Sequence, residues 1–119
     1  VESGEDTDLE SISLGPCDRT KTSSCLYVAD TGNNDAAFHG GRSVTNIFKF
    51  VEPDIATCRA ARTLRVEVAT LPLRYRGDNS RHHNADSEAV FVDLAGDAEG
   101  GHPGDIFLVT KLRAITVDR

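Results

Sequence analysis

The chain states one strand–turn–strand phrase twice, a long way apart. Near its start it reads Asp8-Leu9-Glu10-Ser11-Ile12-Ser13-Leu14, then a gap containing Gly15-Pro16, then Leu26-Tyr27-Val28-Ala29-Asp30. Later it reads Asp86-Ser87-Glu88-Ala89-Val90-Phe91-Val92, a second Gly/Pro-containing gap, and Ile106-Phe107-Leu108-Val109-Thr110. The acidic pairs are 78 residues apart (86 − 8) and the aromatics 80 (107 − 27). A unit repeated in this way buries its apolar face by stacking on neighbours of its own kind. The repeat therefore constrains the fold strongly and the chemistry weakly.

Within the first copy the periodicity is that of strands. Ile12 and Leu14 alternate with Ser11 and Ser13, the pattern of a half-buried strand, which Gly15-Pro16 ends. Leu26 to Ala29 forms a second strand, closed by the turn cluster Asp30-Thr31-Gly32-Asn33-Asn34-Asp35. Val44 to Val51 is a third, with Phe48 and Phe50 on one face and Ile47 and Val51 on the other, and Glu52-Pro53-Asp54 stops it. Residues 55–62 read equally as one helical turn or a loop. Leu64, Val66 and Val68 alternate with Arg65 and Glu67, which predicts a fourth strand. Any continuation past Pro72 through Leu73 and Tyr75 is restricted to an edge or a bend. Val90 and Val92 then restart the first alternation, and Ile115 and Val117 resemble part of the third strand.

Four strands followed by the first strand again is the grammar of a β-propeller blade. The expected fold is all-β: a fragment of a propeller, about one and a half four-stranded antiparallel blades. Residues 9–76 would be the first blade and 86–119 the start of the next, within one partial domain over 1–119. A 78-residue unit is long against the roughly 40 to 50 of ordinary blades. The surplus falls in the loops at 31–43, 53–62 and 77–85.

Composition excludes some partners. No apolar run approaches the roughly 18 to 20 residues that a membrane helix needs, so no span is expected. A net charge of −6 argues against nucleic acid, because no basic stripe is available to displace counterions. Arg74, Arg76, Arg81, His82 and His83 do cluster, but Asp78, Asp86 and Glu88 surround them, as in a solvated loop. The chain starts at Val1 without an initiator Met or an apolar leader, so a signal peptide is either removed or was never in this piece. The unfinished second copy makes the chain read as a fragment, with missing blades or other chains of a larger assembly as expected partners.

Cys17 and Cys25 bracket seven residues between two predicted strands, where a hairpin brings its ends together. Either they form a disulfide, which points to a secreted or luminal compartment, or they are free thiols in a cytosolic loop. Cys58 is left over: free, buried, or paired outside this stretch. No CxxC or second close pair gives a zinc spacing.

The stretch Leu26-Tyr27-Val28-Ala29-Asp30-Thr31-Gly32-Asn33-Asn34 resembles the LYVADTGNN phrase of NHL-type β-propellers. The wider pattern resembles a group of largely uncharacterised, mostly bacterial secreted propellers. The residues that carry it are Asp8, Glu10 and Ile12; Leu26 to Asn34; Val44 to Phe50 with Glu52-Pro53; Tyr75; Asp86, Glu88 and Ala89; and Val109-Thr110-Lys111. They preserve the order of that pattern along nearly the whole chain. Members of the group usually continue through several more blades, whereas this chain stops. The resemblance implies a propeller and an extracytoplasmic location. It implies no activity, since propellers host enzymes, receptors and inert scaffolds alike.

The paired acids are the sharpest candidates for a site. Asp8 and Glu10, like Asp86 and Glu88, lie two apart at the start of the innermost expected strand, and such residues project to one face. Successive blades would then aim carboxylates at the channel mouth, where calcium takes several oxygen ligands; Asn33 and Asn34, with Asp30, close the second strand and would join them. The alternative is that the acids accept hydrogen bonds or pair with arginine and so fix the register between blades. Recurrence in both copies favours register, because a catalytic site seldom needs repetition. His82-His83 with Asn84 and Asp86 has the makings of a transition-metal or general-base cluster, but adjacent loop histidines more often point apart. His39 and His102 sit beside glycines in loops. Asp93, Asp97 and Glu99 lack the glycine and terminal glutamate of an EF-hand, and no G-x-S-x-G, P-loop or H-E-x-x-H appears. The expected function is non-catalytic: a structural or protein- or glycan-binding platform. The alternative is a calcium-dependent propeller hydrolase, phytase- or lactonase-like, with Glu10, Glu88, Asn33 and Asn34 at the ion.

Overall fold

The computed structural model describes residues 7–32, 45–73, 87–96 and 101–110. They form six strands and one short helix: β1 (Leu9–Pro16), β2 (Ser24–Asp30), β3 (Thr45–Val51), α1 (Ile55–Ala60), β4 (Ala69–Leu73), β5 (Ser87–Val92) and β6 (Ile106–Thr110). The protein is mostly β, in two antiparallel sheets. The first is a four-stranded meander in the order β1-β2-β3-β4; the second is the hairpin β5-β6.

Register explains which residues meet. Ser13, Tyr27 and Lys49 lie opposite one another across β1, β2 and β3, as do Ile12, Val28 and Phe48. Directly opposed residues share a face, so the first sheet has two distinct sides. One carries Gly15, Cys25, Tyr27, Ala29 and Ile47, which are buried, with Val51 exposed at its margin. The other carries Ile12, Leu14, Leu26, Val28, Phe48 and Phe50, which are exposed or half-buried. The second sheet covers the first of these sides. Val90 and Val92 of β5 are buried against it, and Ile106 and Leu108 of β6 pack beside them. The core of the described residues is this contact between sheets.

Gly15 shows how close the contact is. A Cβ built there would lie 2.5 Å from Val92 Cγ1 and 2.9 Å from the Tyr27 ring, so a hydrogen atom is all that the position admits. Tyr27 is anchored at its tip, where its hydroxyl donates to the Pro16 carbonyl at 2.6 Å. The Lys49 ammonium lies 5.2 Å from the Tyr27 ring centroid and donates to the Cys17 carbonyl. A buried tyrosine and a half-buried lysine thus keep their polar ends satisfied while their stems fill the core.

Two expectations need correcting. The fourth strand is Ala69–Leu73, not the alternating stretch Leu64 to Val68, which carries no strand. In the observed register Lys49 faces Ala69 and Thr45 faces Leu73. Extending that ladder would set Val68 opposite Phe50 and Glu67 opposite Val51, but Val66, Arg65 and Leu64 opposite Glu52, Pro53 and Asp54, beyond the end of β3. An alternation without a partner strand makes no ladder. Pro72 does lie in β4, at the sheet edge where proline is tolerated. The second correction concerns Ile12 and Leu14. They alternate as expected, yet they point away from the second sheet, at 61% and 46% exposure.

Residues 55–60 take the helical alternative. Asp54 caps α1, its Oδ1 accepting from the Thr57 N–H at 2.8 Å, and no residue of the helix is buried. Hydrogen bonds from the Thr57 hydroxyl and N–H hold the Asp54 carboxyl below the usual carboxylate range.

Candidate functional site

The strand ends that carry Asp8, Glu10 and Glu88 meet at one end of the inter-sheet contact. The two glutamates arrive there by the same local device. β1 pairs regularly from Ser11 onward, but its register with β2 shifts between Leu9 and Ser11. β5 repeats this against β6 between Ser87 and Ala89. Glu10 and Glu88 are therefore the extra residues of two equivalent β-bulges. A bulge bends its strand and re-aims the inserted side chain.

This alters the expected geometry. Asp8 precedes β1 and Glu10 is a bulge residue, so strand alternation does not set the two on one face. Asp8 is instead tied through its backbone. Its N–H donates to Asp30 Oδ1 at 2.8 Å, and its carbonyl accepts from the Gly32 N–H at 3.1 Å. A Cβ on Gly32 would lie 2.2 Å from the Asp8 carboxyl carbon, so any larger residue there would force the Asp8 side chain to shift. Asp30 is buried, and its carboxylate fastens the lead-in of β1 to the end of β2.

Hydroxyl groups join the two sheets. Thr31 Oγ1 donates to the Ser87 carbonyl at 2.7 Å across the contact, while within the second sheet Ser87 Oγ donates to the Val109 carbonyl at 3.1 Å. Ser11 Oγ accepts the Val90 N–H at 3.0 Å, which links residues 79 apart in sequence. A buried N–H left without a partner is expensive, so the Ser11–Val90 bond fixes the register of β5 along β1. The acids are the residues expected to fix this register; the hydroxyls of Ser11 and Thr31 also hold it, and the sequence does not single them out, because a backbone partner distant in sequence leaves no periodic signal. Their only trace is that Ser11 occupies the alternation position facing away from Ile12.

At the other end of the contact lies the Cys17–Cys25 disulfide, with Cα atoms 4.9 Å apart. It closes the β1–β2 loop, where Asp18 accepts from the Thr20 hydroxyl and, at 2.8 Å, from the Thr20 N–H. These bonds, the hydroxyl's first, hold the Asp18 carboxyl below its ordinary value. Lys21 takes a left-handed conformation (φ 58°) and its ammonium donates to the Ala95 carbonyl at 3.3 Å, so the two hairpin loops touch. The β5–β6 loop is closed without a disulfide. Asp93 Oδ1 accepts from the N–H groups of Ala95 and Gly96 at 2.9 and 2.8 Å. Cys58 is a free thiol exposed on α1.

Asn33, Asn34 and Asp86 lie outside the described residues, as do His39, His82, His83 and Asn84. Among the described residues, no three His, Cys, Asp or Glu side chains are grouped closely enough to hold a metal ion, and no helix is long and apolar enough to cross a membrane. His102 is exposed in the β5–β6 loop, its N–H donating to Asp105 Oδ2 at 2.8 Å. The arrangement of Asp8, Asp30, Thr31, Ser87 and Ser11 is a polar clasp between sheets, with two bulged glutamates at its margin. No protein-family model matches the chain, and no curated protein or solved structure is similar to it.

Proposed function

We propose that the chain is a segment of an extracytoplasmic β-propeller that serves as a structural or ligand-binding platform. One observation carries this reading: a four-stranded meander is followed by a second hairpin whose first strand, β5, lies along β1 with the same bulged glutamate at the same end. That is how successive blades of a propeller lie, innermost strand beside innermost strand. The hydroxyls nearest the acids are engaged with backbone groups across the contact, which suits fixed spacing between sheets rather than nucleophilic chemistry. The disulfide supports a location outside the reducing cytosol. A rigid stack of this kind offers its loops to a protein or a surface glycan.

Calcium discriminates this reading from the hydrolase alternative. The chain is titrated with calcium while its melting temperature is followed, and is then assayed against a phosphate monoester and a lactone. The platform predicts no calcium-dependent rise in melting temperature and no turnover. Calcium stabilisation accompanied by hydrolysis of either substrate would replace it with a calcium-dependent hydrolase.

A further inference from the structure

The contact between the sheets joins two different faces of one repeated unit. The first sheet contributes the side with Gly15, Tyr27 and Ala29; the second contributes Val90 and Val92. The repeat carries each face onto a counterpart at the far side of the other sheet. Val90 and Val92 correspond to Ile12 and Leu14 (90 − 12 and 92 − 14, both 78). These two are exposed on the outer side of the first sheet, above the half-buried Val28 and Phe48. Tyr27 and Ala29 correspond to Phe107 and Val109 (107 − 27 and 109 − 29, both 80). These lie on the outer side of the second sheet, where Val109 is 54% and the adjacent Phe91 51% exposed. Phe107 lacks the hydroxyl that Tyr27 ties to Pro16, and it stacks on Phe91 with centroids 4.8 Å apart and planes 6° from parallel. The molecule thus presents one half of its own internal interface at each end.

We infer that the chain binds a second copy of itself head to tail, the Ile12/Leu14 face of one copy seating on the Phe91/Phe107/Val109 face of the next. The contact continues the β1–β5 interface already formed within the molecule. It names a partner for the platform and rests on that reading only for the equivalence of the two sheets. The two patches differ, so neither is self-complementary, and the association is heterologous: it propagates unless rotation closes it. It is weaker than the internal contact. Gly15 is replaced at its counterpart by Asp93, and Ser11 by Ala89, so the close approach to Val92 and the Val90 hydrogen bond have no equivalent.

Sedimentation of the whole chain, disulfide intact, from low to high micromolar concentration tests this. The wild type is expected to grow continuously beyond a dimer. Ile12→Asp and Val109→Asp, each placing a charge on one exposed patch, are each expected to stay monomeric alone. Mixed one to one, they are expected to form a dimer and stop, because each retains the half that the other has lost. Circular dichroism and melting temperature establish that the variants fold, and Leu14→Asp with Phe91→Asp provides a second complementary pair. A wild type that is monomeric throughout overturns the inference, since the face is then covered by something other than this chain. Dimerisation of either blocked variant with itself also overturns it, in favour of a like-to-like contact. A monomeric mixture beside an associating wild type does so too. Self-association is read independently of calcium binding and turnover, so loss of either reading leaves the other standing.

Discussion

Ile12 and Val90 occupy the same place in the repeat and follow the same alternation, yet one is 61% exposed and the other 6%. Leu14 and Val92 differ in the same direction, at 46% and 6%. Nothing in the local sequence separates the members of each pair. The difference lies in what stands opposite: β5 has Gly15 and Tyr27 of the first sheet beneath it, whereas the equivalent side of β1 faces solvent. Burial in a repeated sheet protein belongs to the stacking of units rather than to the strand.

The largest effect that would break this comparison comes from truncating the covered side. Ile47→Ala, at a fully buried position, is expected to lower stability by about 2–5 kcal/mol, read from urea unfolding. Ile12→Ala, measured at concentrations where the chain is monomeric, is expected to change stability by no more than about 0.5 kcal/mol. Equal losses at the two sites would mean that the outer side is covered as well.

The two hairpins supply the next contrast, since only β1–β2 is closed by a disulfide, over a sequence separation of 8. Replacing Cys17 and Cys25 together by Ser is expected to lower stability by about 2–3 kcal/mol, from the loop entropy returned to the unfolded chain. The melting temperature of the wild type with and without reductant gives the same comparison without mutation. A reductant-insensitive transition would show that Asp18, Thr20 and Lys21 hold the loop unaided.

Gly15→Ala forces a Cβ into contact with Val92 and Tyr27 and is expected to cost about 1–3 kcal/mol, measured by thermal unfolding. Pairing it with Val92→Ala sharpens the reading, because removal of the methyl groups in the way should make the double variant more stable than additivity predicts. Ser11→Ala removes the acceptor of the Val90 N–H and is expected to cost about 1 kcal/mol, with faster amide exchange at Val90. Ala89→Ser, at the counterpart of Ser11 on the outer side, should leave the monomer unchanged.

The smallest effect lies away from both faces. The Asp54 carboxyl titrates below the ordinary carboxylate range because the Thr57 hydroxyl and N–H stabilise its charged form. Its contribution to α1 is therefore fully present above about pH 4 and is lost as pH falls through the lower, folded-state value. Far-UV circular dichroism should show a slight loss of helix over that acid window in the wild type. Asp54→Ala should lack this step, and the sheets should stay unchanged in both.

The strands were legible where alternation had a partner to pair with. Thr45 to Val51 could be read with both faces correctly assigned, because phenylalanines and aliphatics alternate there beside a second strong run. Leu64 to Val68 misled for the converse reason: its pattern is as regular, but most of it would run past the end of β3. At the candidate site the acids stood out because they recur. Their bulges did not, since an unpaired extra residue appears only once two strands have been set in register. Ser11, Thr31 and Gly32 were illegible for a related reason. Each acts on a backbone group distant in sequence, and no spacing along one chain encodes that.

The bulge at Glu10 has a consequence for how such a chain tolerates change. Upstream of it only Leu9 belongs to the ladder, so the bulge separates the acidic lead-in from the alternation that begins at Ser11. A residue gained or lost ahead of that joint leaves the strand in phase, whereas the same indel one step later would invert which side chains face the core. Lengths can therefore drift at the head of each unit while its packed surface is kept.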